Sequence, residues 1–404
     1  MRPTSVTRPA RRFLPFRRAT TIFSWLVTGV GLLALAVTCW GQNPASRPIL
    51  FAHGWCGNAQ DFDPLFIPTT EVLFNQLPRS LYPISNLYAI QYDAILQKPT
   101  FYSITVNANG TGTMKQINRS AIPSDARFFS IIFYDPVGKS TSSSNVAKIS
   151  ILNKAYEVAK VVKLITLITQ QPQVIVMGHS MGGLDVRAYV ENMASQGACY
   201  NYSKNTPDYS AATCTPGAGD AAYAGNVGDI ISVDTPHAGT PLAELSFTAQ
   251  GPPPSSLGCI IGSSTNKTEL EPLPDGSGLI EALNYDGSAI AGKLPAENGT
   301  PIEAVEDYFN DTQIAWDGLL GYSDDIVQLT SQSIVQNLPA ADTTAPLLDV
   351  PIGYASSNSG INGTPACWEN FIFFREPVLH FMGCLAAQPD TQNALAAQVN
   401  ANVQ

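Results

Sequence analysis

QVIVMGHSMGGLDVR, residues 173–187, decides the reading of this chain. Gln173 to Met177 is apolar after its first residue, as a strand buried on both faces must be. Gly178 to Gly182 follows as a tight turn, and Leu184 to Ala194 has the spacing of a helix. Ser180 stands at the centre of the turn in a G-x-S-x-G pattern. Glycines two before and two after it remove Cβ atoms, so the backbone can bend sharply and hold the serine in a strained conformation. A strand entering and a helix leaving is the setting that gives this short pattern its meaning.

Working outward, Pro48 to Ala52 reads as a second buried strand that opens into His53-Gly54-Trp55-Cys56-Gly57. Phe101 to Val106 and Met114 to Ile117 suit a hairpin, Phe128 to Tyr134 a strand, and Asp229 to Val233 another. Ser150 to Gln170 has helical periodicity, with Lys154, Lys160 and Lys163 placed on a polar side. Apolar strands alternating with helices predict an α/β fold, a mostly parallel central sheet covered on both faces. Residues 240–320 are rich in Gly, Pro, Ser and acid, and read as a lid or cap excursion from that sheet.

A serine hydroxyl needs a base, and on such a fold the order is Ser, then Asp or Glu, then His. Of four His, His53 and His179 precede Ser180, and His237 directly follows a strand with no acid loop before it. His380 remains, ahead of a final helical stretch at Thr391 to Val399. The acid is sought after a late strand; Gly321 to Val327 offers Asp324 first and Asp325 as its alternate, with Asp317 and Asp349 further candidates. Backbone N–H groups of Met181 and of Trp55 are placed to bind an oxyanion. Asp61 and Asp63 read as solvated loop charges, and neither metal nor cofactor is expected.

The 404 residues carry a net charge of −10, unevenly placed. Residues 1–41 hold six Arg and no acid, which leaves 16 basic against 32 acidic residues, a net −16, for 42–404. Such a body is a poor partner for nucleic acid. The Arg-rich start and the charge-free run Thr21 to Trp40 read as an export signal, with an N-terminal membrane anchor at residues 21–40 as the alternative. The body, 42–404, is then secreted or periplasmic. Its six Cys would pair there, and short loops favour Cys199–Cys214 and Cys367–Cys384, leaving Cys56–Cys259.

With these motifs in place, the chain resembles the lipase branch of the α/β-hydrolase superfamily. It is similar to secreted bacterial triacylglycerol lipases and, distantly, to GPI-inositol deacylases and lecithin–cholesterol acyltransferases. ILFAHGWCG (49–57), VIVMGHSMGGLDVR (174–187), VDTPHAGTPLAEL (233–245), SDDIVQLTS (323–331) and PVLHFMG (377–383) carry the resemblance. It implies a triad of Ser180, Asp324 and His380, oxyanion donors at Trp55 and Met181, and a lid after Pro241. It also implies hydrolysis of a small-molecule or lipid ester, with the lid meeting a lipid interface. Asp325 stands where that family usually has Gly, which blurs the choice of acid. Acyl transfer and an inert hydrolase-fold binding module are the competing functions.

Overall fold

The computed structural model describes residues 46–66, 77, 81–82, 87–108, 110–135, 138–146, 148–195, 200–201, 206–207, 219–240, 269–270, 278–284, 302–309, 347–354, 368–370, 375–377 and 389–401. In chain order the strands are β1 (Ile49–Ala52), β2 (Leu87–Asp93), β3 (Lys98–Val106), β4 (Gly112–Ile117), β5 (Phe128–Ile132), β6 (Val174–His179), β7 (Tyr200–Asn201), β8 (Thr206–Pro207), β9 (Val227–Val233), β10 (Ile302–Phe309), β11 (Leu347–Tyr354), β12 (Trp368–Asn370) and β13 (Arg375–Pro377). The helices are α1 (Ser143–Val146), α2 (Ile151–Thr169), α3 (Met181–Val190), α4 (Gly278–Asn284) and α5 (Pro389–Ala401).

Nine strands form one sheet in the order β11-β10-β9-β6-β1-β5-β2-β3-β4. The seven from β11 to β2 are parallel, and the β3–β4 hairpin adds an antiparallel edge. The central strands are buried on both faces, and their residues divide cleanly. Leu50, Ala52, Phe129, Ile131, Val174 and Val176 enter one core cluster with α2 and α3. Ile49, Phe51, Phe128, Ile175 and Met177 enter the other, with Leu395, Ala396 and Val399 of α5. Each such Val, Leu, Ile, Phe or Met side chain contributes about 1.5–3 kcal/mol on leaving water, so the two cores account for the continuous apolar strands. This is a mostly parallel α/β sheet covered by helices on both faces, as the sequence predicts.

Helix α2 starts where Ser150 accepts a hydrogen bond from the Asn153 N–H and ends at Gln170, in the left-handed region at φ 57°. Of the expected polar side, Lys163 is exposed but Lys154 and Lys160 are not. Lys154 is 1% and Lys160 5% exposed, because residues distant in sequence cover that stripe. Lys160 donates to Asp220 at 2.9 Å and lies 5.0 Å from the Tyr156 ring centroid.

Three further observations revise the reading. Leu87–Asp93 is a strand that the sequence does not announce, pairing β5 on one side and β3 on the other. Residues 302–309, inside the expected excursion, return to the sheet as β10 between β9 and β11. Helix α3 begins at Met181 rather than Leu184, because Ser180 itself is the residue that flanks its first turn. Among the described residues no helix is long and apolar enough to cross a membrane. Cys56 is disulfide-bonded; the other five body cysteines lie outside the described residues.

Candidate functional site

Parallel strands end together, and here three of those ends converge. Ala52 of β1 is paired with Gly178 of β6, and Val233 of β9 with His179. The residues that follow, His53–Trp55, Ser180 and Asp234–His237, therefore share the carboxyl edge of the sheet, where open α/β sheets place their ligands.

Ser180 holds φ 54° and ψ −130°, a conformation that costs a residue with a Cβ about 1–3 kcal/mol. Hydrogen bonds hold it there: its N–H donates to the Val233 carbonyl at 2.8 Å, and its own carbonyl accepts from the Gly183 N–H at 3.0 Å. Crowding does the rest. A Cβ on Gly178 would lie 2.6 Å from the Gly183 Cα, and one on Gly182 would strike the Ala52 carbonyl oxygen. These are the two pattern glycines, and close backbone approach is what each one permits. A Cβ on Gly54 would stand 2.6 Å from the Ser180 Cβ and 3.2 Å from its Oγ, so the loop after β1 packs directly on the serine. Ser180 is 6% exposed at the N-terminus of α3, whose unpaired N–H groups favour developing negative charge.

The structure thus brings together Ser180, Met181 and the Gly54–Trp55 turn. Asp317, Asp324, Asp325 and His380 lie outside the described residues. Asp349 does not fit the role of a loop acid, since it lies inside β11 opposite Ala304.

His237 is occupied structurally. Arg187, fully buried on α3, donates to the His237 Nδ1 at 3.0 Å. A guanidinium can only donate, so Nδ1 is the acceptor and Nε2–H donates to the Ser232 Oγ at 3.1 Å. Burial foremost, then Arg187, push the imidazole well below its ordinary value of 6.5 and hold it neutral. Arg187 also donates to the Leu283 carbonyl at 2.6 Å, Asn284 Oδ1 at 3.2 Å and Glu191 Oε1 at 3.2 Å. Asn284 returns a bond from Nδ2 to the His237 carbonyl at 2.5 Å. This network fastens α4 to the helix that follows Ser180, and no local sequence signal marks it.

His53 donates from Nδ1 to the Gly54 carbonyl at 3.1 Å and meets the Phe133 ring edge-on at 4.9 Å between centroids. Burial lowers it from 6.5 to about 4; the bond to Gly54 opposes this and Lys154 adds to it. A folded value below the unfolded one means that the unfolded chain takes up the proton first. The stabilisation is complete above 6.5 and is lost as pH falls from there toward 4. Between pH 7 and 5 the parent should lose about 2 kcal/mol relative to His53→Phe. Urea titrations of both proteins at the two pH values check this, and parallel changes would remove His53 as the cause.

Asp63 is not solvated as the sequence suggests, and Asp61 is only partly exposed. Asp61 accepts from the Asn58 N–H at 3.0 Å, Asp63 is 1% exposed, and burial pushes both carboxyls up to about 7. Among the described residues, no three His, Cys, Asp or Glu are grouped to hold a metal ion.

No protein-family profile and no curated protein matches this chain. Among solved structures it is similar to phospholipase PlaB of Legionella pneumophila, at 14% identity over 89% of this chain and 63% of that one, with a TM-score of 0.41. It is also similar to the lin2722 gene product of Listeria innocua, at 12% identity over 87% and 92%, with a TM-score of 0.39. A third is the mature lipase BlEst2 of Bacillus licheniformis, at 15% identity over 67% and 69%, with a TM-score of 0.31.

Proposed function

We propose that the chain is an exported serine hydrolase of hydrophobic carboxylic esters. One observation carries the reading: a serine at φ 54° between a buried strand and a helix, with a glycine loop pressed against its hydroxyl. That strained presentation costs stability and has a use if the hydroxyl attacks a bound group.

In this mechanism the Ser180 Oγ adds to the ester carbonyl while His380 takes its proton. Asp324, with Asp325 as the alternate, orients the imidazole and stabilises its charged form. The N–H groups of Met181 and Trp55 receive the oxyanion. The alcohol leaves with the proton from His380, and water then releases the acid from the acyl-enzyme. An uncharged, apolar ester suits a body of net charge −16 better than an anionic one. Export is supported by the basic and then apolar first 40 residues and by the disulfide at Cys56. The excursion after Thr240 is the part expected to meet a lipid interface.

A fluorophosphonate reacts with an activated serine and with little else. Incubation of the folded protein should give one adduct, found by mass on the peptide containing Ser180. A folded protein without an adduct, or with the adduct elsewhere, would overturn the reading.

A further inference from the structure

Beneath the proposed oxyanion hole lies a buried cation that the mechanism so far does not use. Lys154, in the first turn of α2, is 1% exposed. Its ammonium is 3.9 Å from the Met181 Sδ and 5.9 Å from the Phe133 ring centroid. Phe133 in turn holds His53 edge-on. Met181 carries one proposed oxyanion donor, and the turn beginning at His53 carries the other. A single ammonium therefore underlies both arms of the site.

Its surroundings are poorly matched to it. Asp185, on α3, is fully buried, and among the described residues neither of its carboxylate oxygens has a hydrogen-bond partner. Glu157 accepts from the Tyr134 N–H at 2.9 Å, and Glu269 accepts from the Ile151 N–H with both oxygens, at 3.0 and 3.1 Å. All three acids act on Lys154 electrostatically, yet no ion pair of Lys154 is found among the described residues. Burial lowers Lys154 and raises Asp185 and Glu157, with their mutual attraction opposing both shifts. A Lys and an Asp buried without a direct bond destabilise a fold, and apolar residues of like volume would serve packing better.

We propose that Lys154 is a positioning residue of the oxyanion hole, acting through Met181 and His53. Its contact with the Met181 thioether fixes the first turn of α3, whose leading N–H is Met181's own. Its charge lies behind the point where the ester oxygen becomes negative, in a setting with little water to screen it. The inference rests on the reading of Met181 and Trp55 as oxyanion donors.

The test compares the full-length parent with K154M and with the double variant K154M/D185L, measuring melting temperature and the kcat and KM for a soluble p-nitrophenyl ester. K154M leaves Asp185 buried without its nearby cation, so its melting temperature should fall and kcat should drop about tenfold or more. The double variant removes both charges and should regain the parental melting temperature, while kcat stays about tenfold down and KM within about twofold. Recovery of kcat together with stability in the double variant would show a purely structural pair and overturn the inference. So would an unchanged kcat in a folded K154M. A parent that neither turns over ester nor takes the fluorophosphonate is a different failure, one that removes the hydrolase reading itself.

Discussion

Replacing Ser180 by glycine is expected to abolish ester turnover and to make the protein more stable. The loss of rate should be on the order of a millionfold, since without the nucleophile the base and acid have nothing to activate and only the oxyanion hole and binding still act. The gain in stability follows from the backbone. At φ 54° and ψ −130° a Cβ is strained, and glycine reaches that region freely. Its larger unfolded-state entropy takes back part of the relief, leaving about 1 kcal/mol. Ser180→Ala keeps the Cβ and so should be equally inactive but no more stable than the parent. Thermal melts of the three proteins, beside their turnover of one ester, read both halves. An active Ser180→Ala would remove Ser180 from the chemistry, and a Ser180→Gly that melts below Ser180→Ala would show the turn to be unstrained.

Arg187→Met is expected to lower stability by about 3–5 kcal/mol, the range for breaking a buried charged network from one side. Four acceptors lose their donor at once: the His237 ring, the Asn284 amide, the Leu283 carbonyl and the Glu191 carboxylate. Glu191, 2% exposed, would be left beside an apolar side chain. Lysine keeps the charge but not the planar fork, so Arg187→Lys should recover less than half of the loss. Urea midpoints with an unchanged slope measure the effect. A Met variant within about 0.5 kcal/mol of the parent would mean that α4 is held by its apolar residues Leu279, Ile280 and Leu283 alone.

The sheet was legible in sequence where burial on both faces left no room for polar residues. Val174 to Met177 and Ile49 to Ala52 are of that kind, and both lie at the sheet centre. Toward the margins the signal fades. Ile302–Phe309 carries Glu303, Glu306 and Asp307 in eight residues, which reads as loop, yet it is paired on both sides. Backbone pairing overrode composition there. Helical period could not show that Lys154 and Lys160, read as a polar side, are buried, because the acids that face them, Glu269 and Asp220, come from far along the chain. Of the site, Ser180 and its two flanking turns were legible because they need glycine at fixed offsets. Arg187 and His237 were not: inside LDVR and TPHAG nothing local tells a buried network from a surface one.

The place of β1 in the sheet also bears on how the chain acquires its fold. Ile49–Ala52 is the first strand among the described residues, yet it lies between β5 and β6, paired with residues 128–130 and 175–178. Its two partners are synthesised roughly 80 and 125 residues later, so closing the sheet centre brings together segments separated by long loops. Until residue 130 has emerged β1 has no partner strand, and until residue 178 has emerged it has only one. Such a chain remains open and exposed to aggregation for much of its synthesis.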